Sequence, residues 1–286
     1  MHKTGISLIT RADDLGSSHS ANIAIAESAL TGAFIRNISC MAVGPWIDEG
    51  AELLKNQHDV CLGLHATLIS EWNRIKWGPV SSPEQVSSLV NKQGVFHSDP
   101  TWFAEHPPDI DQILLEYDHQ LDLLTSLRLD IRYIDSHMLP ELFVEGLAEA
   151  VSEWARQKGL IDHLTFYRFP ARMEPGTSTN VEQGLQAFRH WLDLLVHGTY
   201  FSVMHPAKAS REMLLFSNVS VPVGLVSTCR DVEYQLLRSR SLEQACNERS
   251  IRRLRYDEAE SQGTTLHDLR NYLEKAQQET TYEQKR

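Results

Sequence analysis

No Cys-x-x-Cys pair occurs among the four cysteines, Cys40, Cys61, Cys229 and Cys246, which removes thiolate zinc sites and dithiol redox centres from consideration. They read as free thiols, with Cys40 and Cys61 inside strands. Positive charge is also scarce. The 27 Lys and Arg against 38 Asp and Glu leave a net −11, and a chain without a basic surplus is a poor match for a phosphate backbone. No nucleic-acid partner is expected. Long apolar runs are missing as well: the run nearest the N-terminus, Ile6 to Thr10, is far too short for a signal-peptide core or a membrane span. The expectation is a cytoplasmic protein with no membrane segment. No internal repeat is visible.

What is present is an average globular composition, 42% hydrophobic and 23% charged, on a chain of 286 residues that can bury a core without disulfides. That length accommodates one α/β barrel of about 250 residues, or two smaller domains. Apolar, β-branched runs at 6–10, 38–43, 60–68, 131–134, 164–169 and 201–204 read as strands, and amphipathic segments separate many of them. Ile110, Ile113, Leu114, Tyr117, Leu121 and Leu124 keep helical spacing behind Pro107-Pro108. Phe143, Leu147, Val151 and Trp154 do so from Pro140 to Gly159, and Val181, Leu185, Phe188, Leu192 and Leu195 form a third such face. Strand–helix alternation implies a mostly parallel sheet covered by helices, either a barrel or a doubly wound sheet.

Two segments break this rhythm. Residues 70–108, rich in Pro, Ser and aromatics, read as a long loop excursion, in which Trp72, Trp77 and Trp102 either stack on a ligand or fasten the loop. From about Ser261 the composition turns to Glu, Gln, Lys and Thr. Residues 1–260 are therefore expected to form the catalytic domain, and 261–286 a polar helical or disordered tail. Leu266, Leu269, Tyr272 and Leu273 of that tail either dock on a partner subunit, giving a homo-oligomer, or stay free.

Chemistry is concentrated where strands end, the edge at which α/β folds build sites. Asp13 and Asp14 follow the first strand. One of them caps the next helix, or the pair repels itself until a cation neutralises it, and Ser17, Ser18 and Ser20 already offer caps. His65 lies in the otherwise apolar strand Leu62–Leu68, and His137 ends the strand before Pro140. Each alone is a hydrogen-bonded core histidine or a metal ligand. One carboxylate and two imidazoles at strand ends leave positions open for water or substrate, as a catalytic metal site requires. Asp135 is either an orienter of a ligand or a turn residue.

These residues carry a resemblance to the YdjC-like carbohydrate deacetylases, relatives of the polysaccharide deacetylases. Ala12-Asp13-Asp14-Leu15-Gly16 resembles N-A-D-D-F-G, Gly63–Leu68 resembles G-x-H-x-x-L, Ile134–His137 resembles I-D-S-H, and Met204-His205-Pro206-Ala207 resembles H-P-G/A. The resemblance spans roughly residues 5–257 and implies a distorted (β/α) barrel with a divalent ion, magnesium or zinc, on Asp14, His65 and His137. It implies Asp13 as general base and His205 as general acid in N-acetyl hydrolysis of an amino sugar, and it puts Arg168 near a substrate-binding basic position. The chain departs from the pattern at Arg11, where asparagine is usual, and at Leu139, where a further histidine is common. Arg11 either pairs with a pocket carboxylate or points outward. Two rivals stand beside the deacetylase: a hydrolase of a glycosidic bond in a (phospho)disaccharide, and a non-catalytic sugar-binding relative.

Overall fold

The computed structural model describes residues 5–31, 34–166, 178–265, 267, 268 and 271. The chain runs β1 (Ile6–Leu15), α1 (His19–Thr31), β2 (Asn37–Cys40), α2 (Ile47–Leu54), β3 (Cys61–Ala66), α3 (Trp102–Glu105), α4 (Ile110–Ser126) and β4 (Ile131–Ser136). It continues with α5 (Leu147–Lys158), β5 (Ile161–Asp162), α6 (Val181–Leu194), β6 (Gly198–Met204), α7 (Leu225–Arg238), α8 (Ser241–Glu248) and β7 (Arg252–Leu254). Every strand pairing is parallel, in the order β5-β4-β3-β2-β1-β6. The sheet curls into a half-barrel clothed by helices, the barrel-like α/β architecture expected from the strand–helix rhythm.

β1 is the axis of the sheet. One of its edges pairs with β6 along Ile6–Ala12, and its other edge is shared, Ser7–Ile9 pairing with β7 and Arg11–Leu15 with β2. All ten of its residues are buried, which explains its near-continuous apolar start. The helices begin and end on the expected chemistry. Asp109 caps α4 through Asp111 N, Asn180 caps α6 through Glu182 N and Gln183 N, and Gly159 closes α5 at φ 71°. All four cysteines are buried free thiols, two of them in β2 and β3. Among the described residues no helix is long and apolar enough to cross a membrane.

Two expectations change. Of the run at 164–169, the described part, Leu164–Phe166, is not a strand: pairing with β4 stops after Ile161 and Asp162, and His163–Phe166 turn as a 3-10 helix. Asp162 is the cause, since its side chain accepts from Leu164 N and its carbonyl from Thr165 Oγ1, closing a turn that competes with the ladder. The helix placed from Pro140 splits as well, into a 3-10 turn at Pro140–Leu142 and α5, because Gly146 at φ 78° breaks the path between them. Arg168 and the tail positions Leu266, Leu269, Tyr272 and Leu273 lie outside the described residues.

Close packing between β3 and β4 sets a test. A Cβ on Gly63 would enter the ring of Tyr133, whose buried hydroxyl is 2.8 Å from Ser39 Oγ. Gly63→Ala should therefore lower stability by about 1–3 kcal/mol, the usual cost of overpacking. The readout is a fall in the urea midpoint at unchanged slope. Wild-type stability in the variant would show that this contact does not constrain the sheet.

Candidate active site

The two aspartates leave β1 on a distorted backbone. Pairing with β2 slips between Ala12 and Leu15, and Asp14 adopts φ 68°, a left-handed conformation that Asp tolerates better than most residues. Strict alternation of side chains therefore ends here. Gly16 continues the turn at φ 99°, where a Cβ would press on the Met41 carbonyl, and its N–H donates to Asn22 Oδ1 at 2.7 Å. Ser18 Oγ accepts from Ala21 N, so a serine and not an aspartate caps α1.

Sheet register brings the histidines alongside. His65 stands level with Asp135 on β4, and His137 donates its backbone N–H to Ala66 O at 3.0 Å. His65 Nε2 and His137 Nδ1 are 3.1 Å apart, and Asp14 Oδ1 lies 3.4 Å from the first and 3.8 Å from the second. All three residues are buried. Each imidazole is held from behind by a carboxylate, His65 Nδ1 by Asp135 Oδ2 at 3.2 Å and His137 Nε2 by Glu71 Oε2 at 3.1 Å. This carboxylate–imidazole pattern fixes ring orientation and raises ligand basicity. Asp14 Oδ2 takes Arg230 Nη2 at 2.6 Å, while Asp14 Oδ1, facing the imidazoles, has no hydrogen-bond partner.

Those spacings suit a cation. Ligands roughly 2.0–2.1 Å from a tetrahedral ion stand about 3.3–3.4 Å from one another, and the three donors are separated by 3.1, 3.4 and 3.8 Å. A second cluster, Asp13, His65 and Asp135, is as compact. Its carboxylates are already engaged: Arg11 reaches Asp13 at 2.6 and 2.8 Å and Asp135 Oδ2 at 2.8 Å. Arg11 thus turns inward, pairing with two pocket carboxylates, and Asp135 acts as an orienter of His65.

Electrostatics point the same way. Burial alone would raise the Asp14 carboxyl, but the Arg230 charge, with His65, His205 and His137, holds it well below the usual carboxylate range. Burial would lower His65, yet Asp135, Asp14 and Asp13 drive it up to about 10. The cluster draws positive charge to its centre. His205, 40% exposed, puts Nε2 4.0 Å from Asp13 Oδ2, and its backbone N–H donates to Glu233 Oε2 at 2.6 Å. Trp77 packs against His137 with ring centroids 6.3 Å apart, Trp72 lines a cavity beside His205, and Trp102 is stacked on His97 and His106. Glu71, Arg230 and Glu233 were not singled out from the sequence. Glu71 stands in a segment read as loop and the other two on an ordinary helix, so no local pattern marked them.

A family model of YdjC-like proteins matches residues 7–248, a span that contains every donor described above. A carbohydrate deacetylase from Thermoanaerobacter pseudethanolicus is 32% identical over 130 residues, which are 46% of this chain and 49% of that protein. The match thus spans about half the length of this curated relative. A candidate cellobiose-phosphate cleavage protein from Enterococcus faecalis V583 shares the fold, with TM-score 0.70 and 21% identity over 89% of this chain and 98% of that one.

One buried carboxyl near the centre gives a pH test. Glu141, 1% exposed, accepts from Ser136 Oγ between Asp135 and His137, and burial pushes it up to about 7. The unfolded chain releases this proton near pH 4.3. Between that value and about 7 the folded state binds more protons, so stability declines as pH rises through the window. Glu141→Gln should remove that part of the decline. Its stability relative to wild type should be greater at pH 8 than at pH 5, by up to roughly 3 kcal/mol at about 1.4 kcal/mol per pKa unit. Urea melts at both pH values measure it, and an identical difference at the two would contradict the assignment.

Proposed function

The chain belongs to the YdjC-like protein family, and on that premise we propose that it is a metal-dependent carbohydrate deacetylase, removing an N-acetyl group from an amino sugar or short oligosaccharide. The observation that carries this reading is the convergence of Asp14 Oδ1, His65 Nε2 and His137 Nδ1, with both imidazoles braced by carboxylates and the aspartate oxygen otherwise unpartnered. Asp14, His65 and His137 would hold the ion. Two imidazoles among three donors favour zinc over magnesium, which prefers oxygen. When bound, the ion supplies Lewis acidity, lowering the pKa of water to about 7 and polarising the amide carbonyl.

The chain's own residues perform the proton transfers. Asp13 takes the proton of the attacking water; Arg11 grips both its oxygens, and each oxygen keeps a lone pair for the transfer. His205, the partly exposed member of the group, delivers a proton to the departing nitrogen. Glu71 and Asp135 keep the two imidazoles turned inward, and Arg230 fixes Asp14. Trp72, lining the cavity beside His205, is the tryptophan placed to contact substrate there.

Metal content read together with turnover tests this division of labour. Asp14→Ala, His65→Ala and His137→Ala should copurify with little metal, and Glu71→Gln should bind it about 10–100-fold more weakly. Asp13→Asn and His205→Ala should stay metal-loaded and lose on the order of 10²–10⁴ in kcat for acetate release. A metal-free Asp13→Asn, or one loaded and fully active, overturns the roles. A new reducing end without acetate would mark the chain as a glycosidic-bond hydrolase instead, and metal and sugar binding with no product would mark a binding relative.

A further inference from the structure

A cavity of about 320 Å³ adjoins the site, and its walls are unusual for a sugar pocket. Trp72, Val221, Leu225, Val226 and Cys229 form most of the lining. Its three polar members all connect to the catalytic cluster: Arg230 bonds Asp14, His205 stands near Asp13, and Glu233 accepts from the His205 backbone. The polar end of the cavity therefore abuts the reacting centre. There Arg230 Nη1 and Glu233 Oε1, one helical turn apart on α7, are both buried and without hydrogen-bond partners, and the Glu233 side chain is almost wholly buried. Two of the lining residues, Val221 and Leu225, belong to an aliphatic stretch that faces solvent, with Val219 at 96% exposure, Val223 at 60% and Leu225 at 40%.

A pyranose buried against such walls would leave its hydroxyls unpaired, at a cost of roughly 1–3 kcal/mol each. The single methyl of an acetyl group would leave the space mostly unfilled, since 320 Å³ has room for on the order of ten groups the size of water at roughly 30 Å³ apiece. Methylenes satisfy the walls and continue onto the exposed aliphatic rim. We propose that this cavity is a subsite for an aliphatic chain carried by the substrate, making the preferred substrate an amphiphilic N-acyl amino sugar, with the polar amide held at the Arg230–Glu233 end. This deepens the amide-hydrolase reading and rests on it. Water adds to the amide carbonyl and the C–N bond breaks with its electron pair staying on nitrogen, which takes a proton. A carboxylic acid and a free amine leave.

The chain can sit on either side of the scissile bond, as a long N-acyl group or as an alkyl group on the anomeric oxygen, and two substrate series separate these sources. Amine release by the metal-loaded full chain is measured for N-acyl glucosamines from acetyl to octanoyl, and for alkyl N-acetylglucosaminides from methyl to octyl. In one series kcat/KM should rise three- to fourfold per methylene over at least four methylenes, equivalent to about 0.8 kcal/mol each. Val226→Trp, which fills the cavity, and Leu225→Ser, on its exposed rim, should flatten that rise and keep N-acetylglucosamine turnover within twofold of wild type. Acetyl substrates cleaved with no gain from lengthening in either series, or a gain that persists in Val226→Trp, would overturn the subsite and leave the deacetylase standing. Should no amide be cleaved, the deacetylase reading falls. The subsite is then decided by calorimetry of octyl glucosaminide against glucosamine: equal affinity overturns it, and tighter octyl binding lost in Val226→Trp sustains it.

Discussion

Arg11 places a full guanidinium charge inside the half-barrel, 4% exposed, and the catalytic end of the sheet is organised around it. It joins Asp13 on its own strand, Asp135 three strands away across β2 and β3, and the hydroxyl of Tyr256 beyond β7. Burying a charge is tolerable only where partners replace water on every face, and a planar donor fork matched to two carboxylates meets that condition. Burial alone would lower the pKa of the guanidinium, but Asp13, Asp135 and Tyr256 hold it well above the usual arginine range. Asp135, so anchored, has one oxygen contacting Arg11, Ser39 and His65 at once. The orientation of His65 thus descends from the buried arginine.

The charge count explains why the centre calls for a cation. Asp13, Asp14, Asp135 and Glu71 bring four carboxylates into one buried neighbourhood, and the two arginines that contact three of them, Arg11 and Arg230, supply only two positive charges. Two neighbouring acids inside a protein raise each other's proton affinity unless positive charge intervenes. Here the deficit falls on His65, whose raised proton affinity reports the same demand that a divalent ion would meet. The net charge of −11 is thus partly focused at one point of the sheet.

How much of this was legible in the sequence follows from how local each feature is. β1, β3 and β4 announce themselves by apolar runs, and His65 and His137 stand out because imidazoles interrupt those runs at the sheet edge where sites form. Asp109, Asn180 and Gly159 mark helix ends through one-residue chemistry. The backbone at Asp13 and Asp14 was not legible, since it involves a slipped register and one positive φ that Asp permits without requiring, and both carboxylates reach His65. On α4 the spacing named Leu114 and Leu121, yet the buried face includes Glu116 and Gln120. Those polar groups are buried because of what they hold elsewhere in the chain, which helical periodicity does not encode.

What they hold is the excursion itself, and this decides how substrate approaches. Glu116 accepts from Val80 N and Ser81 N at 2.9 and 3.0 Å, and Gln120 exchanges two hydrogen bonds with the Thr67 backbone at 3.1 and 2.8 Å. Trp77 Nε1 donates to Ile69 O at 2.6 Å, and Phe96 and Phe103 are sealed in the core. A loop fixed at so many buried points is a wall of the site, and it carries Glu71 to His137 as rigidly as a strand would. Opening it as a lid would break several buried hydrogen bonds together, each exposing a group that costs roughly 1–3 kcal/mol to leave unmet. The excursion is joined in turn to the 214–225 segment, Asn73 N donating to Ser217 O at 2.9 Å and Trp72 meeting the Phe216 ring. Beside this junction His205 is 40% exposed, Val221 and Leu225 line the cavity, and Val219 and Val223 stand in solvent. On the proposed reading, substrate would enter past α7 and meet His205 first, with Asp14, His65 and His137 behind it and His137 braced by Glu71 of the excursion.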